Sequence, residues 1–496
     1  MKYRKIKLIF LLVLILLIAN KTKAQDYAVG YDSYFIKDHS RTVDSLTYRP
    51  VLFNIWYPAV NDVKKEYITR NQLLKLPEND NSQKKFSKAY YEYAVSNSKK
   101  YLFDQFEAPD SALINKEFDN YLNAQTQSKQ KLSPIKKTFP LIIYHQGLGG
   151  TIDDNLHMCE YLASKGFVVI GSTFFNNIND MGPGNDQYSR QDVNILINEA
   201  AGHSFIDLNY IVYIGHSYGA QAGFTIINQD GCPIDLFISL DTTFDYNDEK
   251  TIDAVWDYLI PQIKSGSHLV KIPTVHLTDY RKNQKPYFEI PRRYIYSDKL
   301  LITTKNRISH DGFINLGYNE AKLLKKYYPE FEIDTAGYKQ VNQLILNIIS
   351  NKNGFLSIEN MDTSHFNAVY LPKMESVNSM SMYDTLENRF GIDSALNLIS
   401  IFNKYDPDTK NELGWLAEYY LENNNLKKAN IIADLFLNKD SINYYSYFVK
   451  GKILVEQNEI EKAKDYFKTA YNTTLIFGQK WEMQQYFSSM GISFKD

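Results

Sequence analysis

Three short segments, far apart in the chain, hold residues whose types and spacing could perform acyl transfer. The first is Gly215-His-Ser217-Tyr218-Gly219, entered from the apolar run Tyr210–Ile214. An apolar strand running into Gly-x-Ser-x-Gly builds a sharp strand-to-helix turn that exposes the serine oxygen. The residues two before and two after the serine must be minimal for strand and helix to approach. Taken alone, the pattern also fits an ordinary turn. The second segment is His145-Gln-Gly147-Leu148-Gly149-Gly150, which follows the short apolar run Phe139–Tyr144. Acyl transfer passes through an oxyanion that needs two backbone N–H donors aimed at one point, and a glycine-rich turn lets main chain come that close. The N–H groups of Leu148 and of Tyr218, the residue after the serine, are the expected donors. A glycine-rich loop used only as a turn is the alternative.

The third segment must supply a base, with an orienting carboxylate between it and the serine, because in this arrangement the order is Ser, Asp, His. His310, in Ile308-Ser-His-Asp-Gly-Phe313 after the strand-like run Lys299–Thr304, is the expected base. His365 lies beyond a helix-like stretch over 338–350 and reads as a solvated or packing histidine; His203 and His276 read as structural. Two aspartates end two successive strand-like runs, Asp241 after Leu236–Leu240 and Asp279 after Pro273–Leu277. Only one of them can orient His310.

Jointly these segments resemble the platelet-activating-factor acetylhydrolase branch of the α/β-hydrolases, related to dienelactone hydrolases. Arg49-Pro-Val-Leu-Phe-Asn-Ile-Trp56-Tyr-Pro-Ala59 is similar to that family's Arg-Pro…Trp-Tyr-Pro strand. Pro140–Gly149 with Leu162–Val169 resembles its oxyanion loop, first helix and next strand, Ile238–Asp241 its acid-bearing strand end, and Ile308–Phe313 its base loop. The resemblance covers about residues 27–350 and implies Asp241 as the acid, although many hydrolases of this fold use the later strand, which favours Asp279. Two departures fall on the expected rim of the site. The family's His-Gly-Leu-Gly is Gln146-Gly-Leu-Gly here, with His145 one position earlier, and the strand after Gly166 ends in Ser-Thr-Phe-Phe (172–175) instead of a charged pair. They bear on acyl specificity more than on the reaction.

Positioning such residues requires a sheet. Eight strand-like runs occur, near Tyr27–Phe35, Val51–Tyr57, Phe139–Tyr144, Phe167–Phe174, Tyr210–Ile214, Leu236–Leu240, Pro273–Leu277 and Lys299–Thr304. From the third onward, helical or loop segments separate them, which predicts an α/β-hydrolase fold, an eight-stranded, mostly parallel sheet flanked by helices. The ligand crevice of such a sheet lies at the carboxyl ends of its strands, where Leu148, Ser217, Asp241 and His310 fall.

With 496 residues, 44% of them hydrophobic, the chain can bury a large core and should hold more than one domain. Lys2, Arg4, Lys5 and Lys7 precede an unbroken apolar run from Leu8 to Ala19, followed by a polar stretch to Ala24, the pattern of a secretory signal peptide over 1–24. The apolar run is too short to span a bilayer, and an uncleaved anchor is the alternative. Removing that segment takes away six basic and no acidic residues, so the formal charge goes from −2 to −8, which disfavours nucleic acid as a partner. Cys159 and Cys232 are the only cysteines, so no disulfide framework is expected and two buried thiols are, with their pairing in an oxidising compartment as the alternative.

Residues 71–133 form an insertion rich in Lys, Asn, Gln and Tyr with amphipathic helical stretches, read either as a cap over the site or as a solvated surface. Beyond the catalytic segment, 25–373, the tail 374–496 has continuous helical periodicity and a 34-residue self-similarity. Ala417, Tyr420 and Ala429 recur as Gly451, Leu454 and Ala463, followed by Phe467 and Ala470, a pattern similar to tetratricopeptide repeats, with a further helix pair expected near Ser394–Tyr405. The tail is either a protein-docking surface or an accessory bundle. The expectation is a periplasmic or secreted serine esterase acting on small-molecule or lipid esters, with no metal or organic cofactor because no His, Cys and carboxylate cluster has ligand spacing. A serine exopeptidase on the same fold, or a non-catalytic interaction protein using the repeats, are the alternatives.

Overall fold

A computed structural model describes residues 26–42, 48–106, 110–175, 186–256, 260–280, 287–330, 335–351, 364–374, 391, 396–397, 401, 411–474 and 476–491. The expected signal peptide and most of the helix pair expected near 394–405 lie outside the described residues. The chain divides into two compact units, which part between Lys373 and Met374.

The first unit is built on one sheet. Its strands are β1 (Ala28–Asp38), β2 (Arg49–Ala59), β3 (Tyr67–Thr69), β4 (Gln125–Gln130), β5 (Phe139–His145), β6 (Val168–Gly171), β7 (Ile206–His216), β8 (Leu236–Leu240), β9 (Thr274–Thr278), β10 (Lys299–Thr304) and β11 (Phe366–Leu371). Their order is β11-β10-β9-β8-β7-β5-β6-β2-β1-β4-β3. The run from β6 through β5 and β7 to β10 is parallel, while β1 pairs β2, and β2 pairs β6, in antiparallel fashion. The strands descend in chain order from β11 to β1 apart from the exchange of β5 and β6 and the placement of β4 and β3 beyond β1, which gives the α/β-hydrolase arrangement. All eight expected strands are present, but the sheet has eleven. β3 and β4 extend one edge and β11 the other. β4, Gln-Thr-Gln-Ser-Lys-Gln, carries no apolar signal and belongs to the sheet through main-chain pairing with β1 and β3.

Alternation along the inner strands feeds two cores, one on each face, as a doubly covered sheet requires. Leu141 and Ile143 of β5 join Val51, Phe53 and Ile55 of β2 in one. Ile142 and Tyr144 join Leu52 and Trp56 in the other. Seven helices bear on the site and its supports: α1 (Asn81–Phe103), α2 (Ser111–Asn123), α3 (Leu156–Ser164), α4 (Asp186–Ala200), α5 (Tyr218–Ile227), α6 (Asn315–Tyr327) and α7 (Gly337–Ile349). Parallel register aligns the strand ends: His145 pairs with Gly215, Gly215 with Ser239, and Leu240 with Leu277. The loops that leave β5, β7, β8 and β9 therefore emerge at one edge.

The second unit contains α8 (Glu412–Glu422), α9 (Leu426–Lys439), α10 (Tyr444–Glu456), α11 (Ile460–Thr473) and α12 (Phe477–Ser489). Its hairpins repeat in detail. Asn424 and Asn458, 34 residues apart, both adopt left-handed backbone (φ 57° and 60°) at the α8–α9 and α10–α11 turns. The following amides close equivalent bonds, Asn425 N–H to Tyr420 O (2.7 Å) and Glu459 N–H to Leu454 O (2.9 Å). A Cβ on Gly451 would sit 2.2 Å from the Phe467 ring, so a glycine is what lets α10 and α11 pack this closely. No described helix of the chain is long and apolar enough to cross a membrane.

Candidate active site

β7 ends at His216 and α5 begins at Tyr218, leaving Ser217 at the corner with φ 51° and ψ −116°. A non-glycine residue at positive φ is strained, and such strain is held only by surrounding packing. Here the packing is main chain on main chain. A Cβ on Gly215 would lie 2.5 Å from Ala220 N and from the Gly219 carbonyl, and a Cβ on Gly219 would lie 2.2 Å from the carbonyl oxygen of His145. Both glycines are required by contact. The Ser217 N–H donates to Leu240 O (3.0 Å), tying the corner to β8. Tyr218 is the first residue of α5, so its N–H lies outside the helix's own hydrogen-bond ladder.

The loop after β5 lies against this corner. A Cβ on Gly147 would be 3.0 Å from His216 Nδ1 and 3.2 Å from Ser217 Cβ, so the loop approaches the serine as closely as a glycine permits. Gly149 has φ 71°, and the Gly150 N–H donates to Gly147 O (3.1 Å), closing a tight turn with Leu148 at its exposed tip. The turn is clamped from above by α1. The Tyr93 hydroxyl (2.7 Å) and Asn97 Nδ2 (3.0 Å) both donate to Gly149 O. Asn97 and Tyr101 line the same cavity as Ser217, so the insertion helps to form the site. Tyr93, Asn97 and Tyr101 are spaced four apart and share one helix face.

His310 Nδ1 lies 2.7 Å from Asp241 Oδ2, in a pair whose carboxylate is fully buried and whose imidazole is about one-third exposed. Asp241 follows β8 in left-handed backbone (φ 48°), and its other oxygen accepts from the Thr278 hydroxyl and from the Asp279 N–H (2.9 Å). Asp279 has a different set of partners. Its Oδ1 accepts from Ile308 N–H (2.9 Å) and Thr304 Oγ1 (3.2 Å), so it fixes the loop that carries His310. The two aspartates that sequence could not separate are separated by what their oxygens touch.

Ser217, His310, Gly147, Leu148 and Gly149 line one cavity of about 250 Å³, together with His216, Asp154 and Asp311. His216 is a residue whose part sequence did not reveal. It is buried, its ring lies 4.8 Å from that of His310, and its Nε2 meets His310 O at 3.1 Å. Since a carbonyl only accepts, Nε2 carries the proton. Burial, with the His310 charge second, lowers its pKa to about 4, which keeps it neutral at ordinary pH. Nδ1 is then an acceptor, and among the described residues it has no hydrogen-bond partner. Asp154 is a second such residue. Burial, then the neighbouring Asp153 charge, raises its carboxyl to about 7.

The rim departures have a local cause. His145 is buried and stacks on Phe174 with ring centroids 3.8 Å apart, its ring nitrogens 2.9 Å from Gln146 O and 3.1 Å from Ser189 Oγ; burial lowers its pKa to about 4. Gln146 Nε2 donates to Thr173 O (2.7 Å). Phe174 and Thr173 thus hold the stem of the loop after β5 in place. Three other histidines lie outside the cavity lining: His365 Nε2 meets Gln340 Nε2 (2.9 Å), His203 stacks on Phe53, and His276 is buried against Asp245 (2.9 Å). Cys159 is buried in α3 and Cys232 half-buried, both as free thiols. Among the described residues one trio with metal-ligand atoms within 4.8 Å of one another is His216, His310 and Asp311; it shares His310 with the Asp241 pair.

No protein-family model matches the sequence, and no curated protein matches it. Solved structures do match. The chain is similar to a ferulic acid esterase from Streptomyces cinnamoneus at 13% identity over 67% of this chain and 90% of that one, with a TM-score of 0.40. It is similar to a monoacylglycerol lipase from Paleococcus ferrophilus at 11% identity over 44% and 97%, with a TM-score of 0.28. It is also similar to an acylaminoacyl peptidase from Pyrococcus horikoshii at 9% identity over 74% and 45%, with a TM-score of 0.34.

Proposed function

We propose that this protein is a serine hydrolase of carboxylic esters, with Ser217 as nucleophile, His310 as base and Asp241 as the orienting acid. The observation that carries the reading is the 2.7 Å bond between His310 Nδ1 and the buried Asp241 carboxylate, in a loop that shares a cavity with the strained Ser217. Asp241 holds the imidazole with its proton on Nδ1, leaving Nε2 to take the proton of Ser217 Oγ as that oxygen attacks the ester carbonyl. The N–H groups of Leu148 and Tyr218 receive the oxyanion. His310 then gives the proton to the departing alcohol, and water, activated by the same imidazole, releases the acid from the acyl-enzyme. A clamped, glycine-built loop suits the oxyanion role, since donors fixed before the reaction need no reorganisation during it.

In the same reading the chain belongs near the acetylhydrolase branch, residues 1–24 direct export, and the 374–496 unit is a tetratricopeptide-like array that can dock a protein partner. The 34-residue repetition of turns and small residues supports the last of these. Reaction with a fluorophosphonate probe, followed by peptide mapping, tests the enzyme reading. Label on Ser217 that is lost in the His310→Gln variant is the expected result, and an unlabelled serine in folded protein would overturn it.

A further inference from the structure

The cavity beside Ser217 carries two carboxylates, Asp154 and Asp311, and no lysine or arginine among its lining residues. Asp154 is 4% exposed. Its Oδ1 accepts from Thr151 Oγ1 (3.1 Å), a hydroxyl shared with Asp153, and among the described residues it forms no ion pair. The buried Arg70 pairs with the neighbouring Asp153 (3.3 Å) and donates to Asn315 Oδ1 (2.8 Å). Room for the other Asp154 oxygen exists because position 150 is glycine, where a Cβ would lie 2.2 Å from it. A buried carboxylate without a cation costs folding free energy and is kept where something else supplies the charge.

A second, independent feature points the same way. His216 Nδ1, on a residue 2% exposed, is an acceptor without a partner among the described residues, on the Gly147 side of this cavity. Acceptors and negative charge therefore converge on one small space. At about 250 Å³ it lies below the range of pockets that enclose drug-sized ligands, so it suits a short group.

We propose that this cavity takes esters that carry an ammonium group a few bonds from the reacting carbonyl, held by Asp154 and Asp311 with His216 Nδ1 as a further acceptor. The proposal rests on the ester-hydrolase reading and narrows its substrate class. Charge-assisted bonds from the ammonium satisfy groups that an alkyl chain would desolvate without compensation. A site built for a polar partner rejects the analogue lacking it far more strongly than a hydrophobic pocket rejects a missing methylene.

The test uses the full chain and two p-nitrophenyl esters of matched shape, the β-alaninate and the butanoate, which differ by an ammonium in place of a methyl. Each kcat/KM is divided by that ester's own rate with hydroxide, which removes the difference in intrinsic reactivity. The expected result is a corrected preference of about tenfold or more for the β-alaninate, expressed mainly in KM, and reduced about tenfold by Asp154→Asn. If that variant folds poorly, propylammonium chloride, at ionic strength fixed with sodium chloride, should compete with the butanoate on the wild-type protein. Equal or lower corrected kcat/KM on the β-alaninate, with no inhibition by propylammonium while butanoate hydrolysis depends on Ser217, would remove the cation and leave the esterase standing. Absence of Ser217-dependent turnover of either ester would remove both.

Discussion

Asn97 Nδ2 donates to the carbonyl oxygen of Gly149 across 3.0 Å, so a helix inserted between β3 and β4 fixes the glycine-built turn proposed to hold the oxyanion. The insertion is joined to the chemistry by its side chains. Asn97→Ala should lower kcat on p-nitrophenyl butanoate by about tenfold through a looser turn, with a small change in melting temperature, because Tyr93 still holds the same carbonyl. Equal activity in Asn97→Ala and in the Tyr93→Phe, Asn97→Ala double variant would show that the clamp does not matter.

The two aspartates should behave differently. Asp241→Asn is expected to reduce kcat by roughly 10⁴-fold through the wrong His310 tautomer while the protein stays folded. Asp279→Asn replaces the charged acceptor of the Ile308 amide with a weaker, neutral one and should lower the melting temperature, with a much smaller effect on kcat. Steady-state kinetics with a thermal melt on each variant decides this, and the reverse ranking would move the acid to Asp279.

Asp154 should make the protein less stable as pH rises. Its carboxyl is raised from 3.8 to about 7, chiefly by burial and then by the charge of Asp153, with Asp311 a further contributor. Between those values the folded state binds the proton and the unfolded state does not, so stability falls as pH goes from about 4 to 7. Asp154→Asn lacks this contribution. The variant should gain stability over the wild type between pH 5 and pH 8, by up to about 3 kcal/mol, read from urea unfolding at both pH values. A difference independent of pH would show that the carboxyl is not held protonated.

A chain ending at Lys373 should keep its activity on p-nitrophenyl acetate. Ser217, Asp241, His310 and both expected oxyanion donors precede that point, and the second unit closes its own core around Leu416, Ala433 and Phe436. Circular dichroism showing a folded, inactive fragment would contradict this.

What could be read in the sequence was chemistry imposed by local sterics. Gly215 and Gly219 announce the corner because any side chain there collides with main chain, and the inner strands announce themselves because both faces are buried. Strand position alone did not choose the acid, and only the resemblance favoured Asp241, because Asp241 and Asp279 end adjacent strands and the loop from β10 decides which of them His310 meets. β4 escaped because its six residues are polar and it pairs through backbone alone. His216 and Asp154 owe their character to burial by distant segments, which no local pattern encodes. Tyr93, Asn97 and Tyr101 did leave a signal, a helical spacing of four within a polar insertion, legible as one face though not as a face over the serine.

The central claim is that Ser217 is the nucleophile, and the most direct measurement is turnover of p-nitrophenyl butanoate by Ser217→Ala beside the wild type, with a thermal melt to show that both are folded. A loss of roughly 10⁴-fold or more at nearly unchanged stability is expected, since the half-buried Ser217 lines a cavity and contributes little packing. Activity within about tenfold of wild type in a folded variant would contradict it.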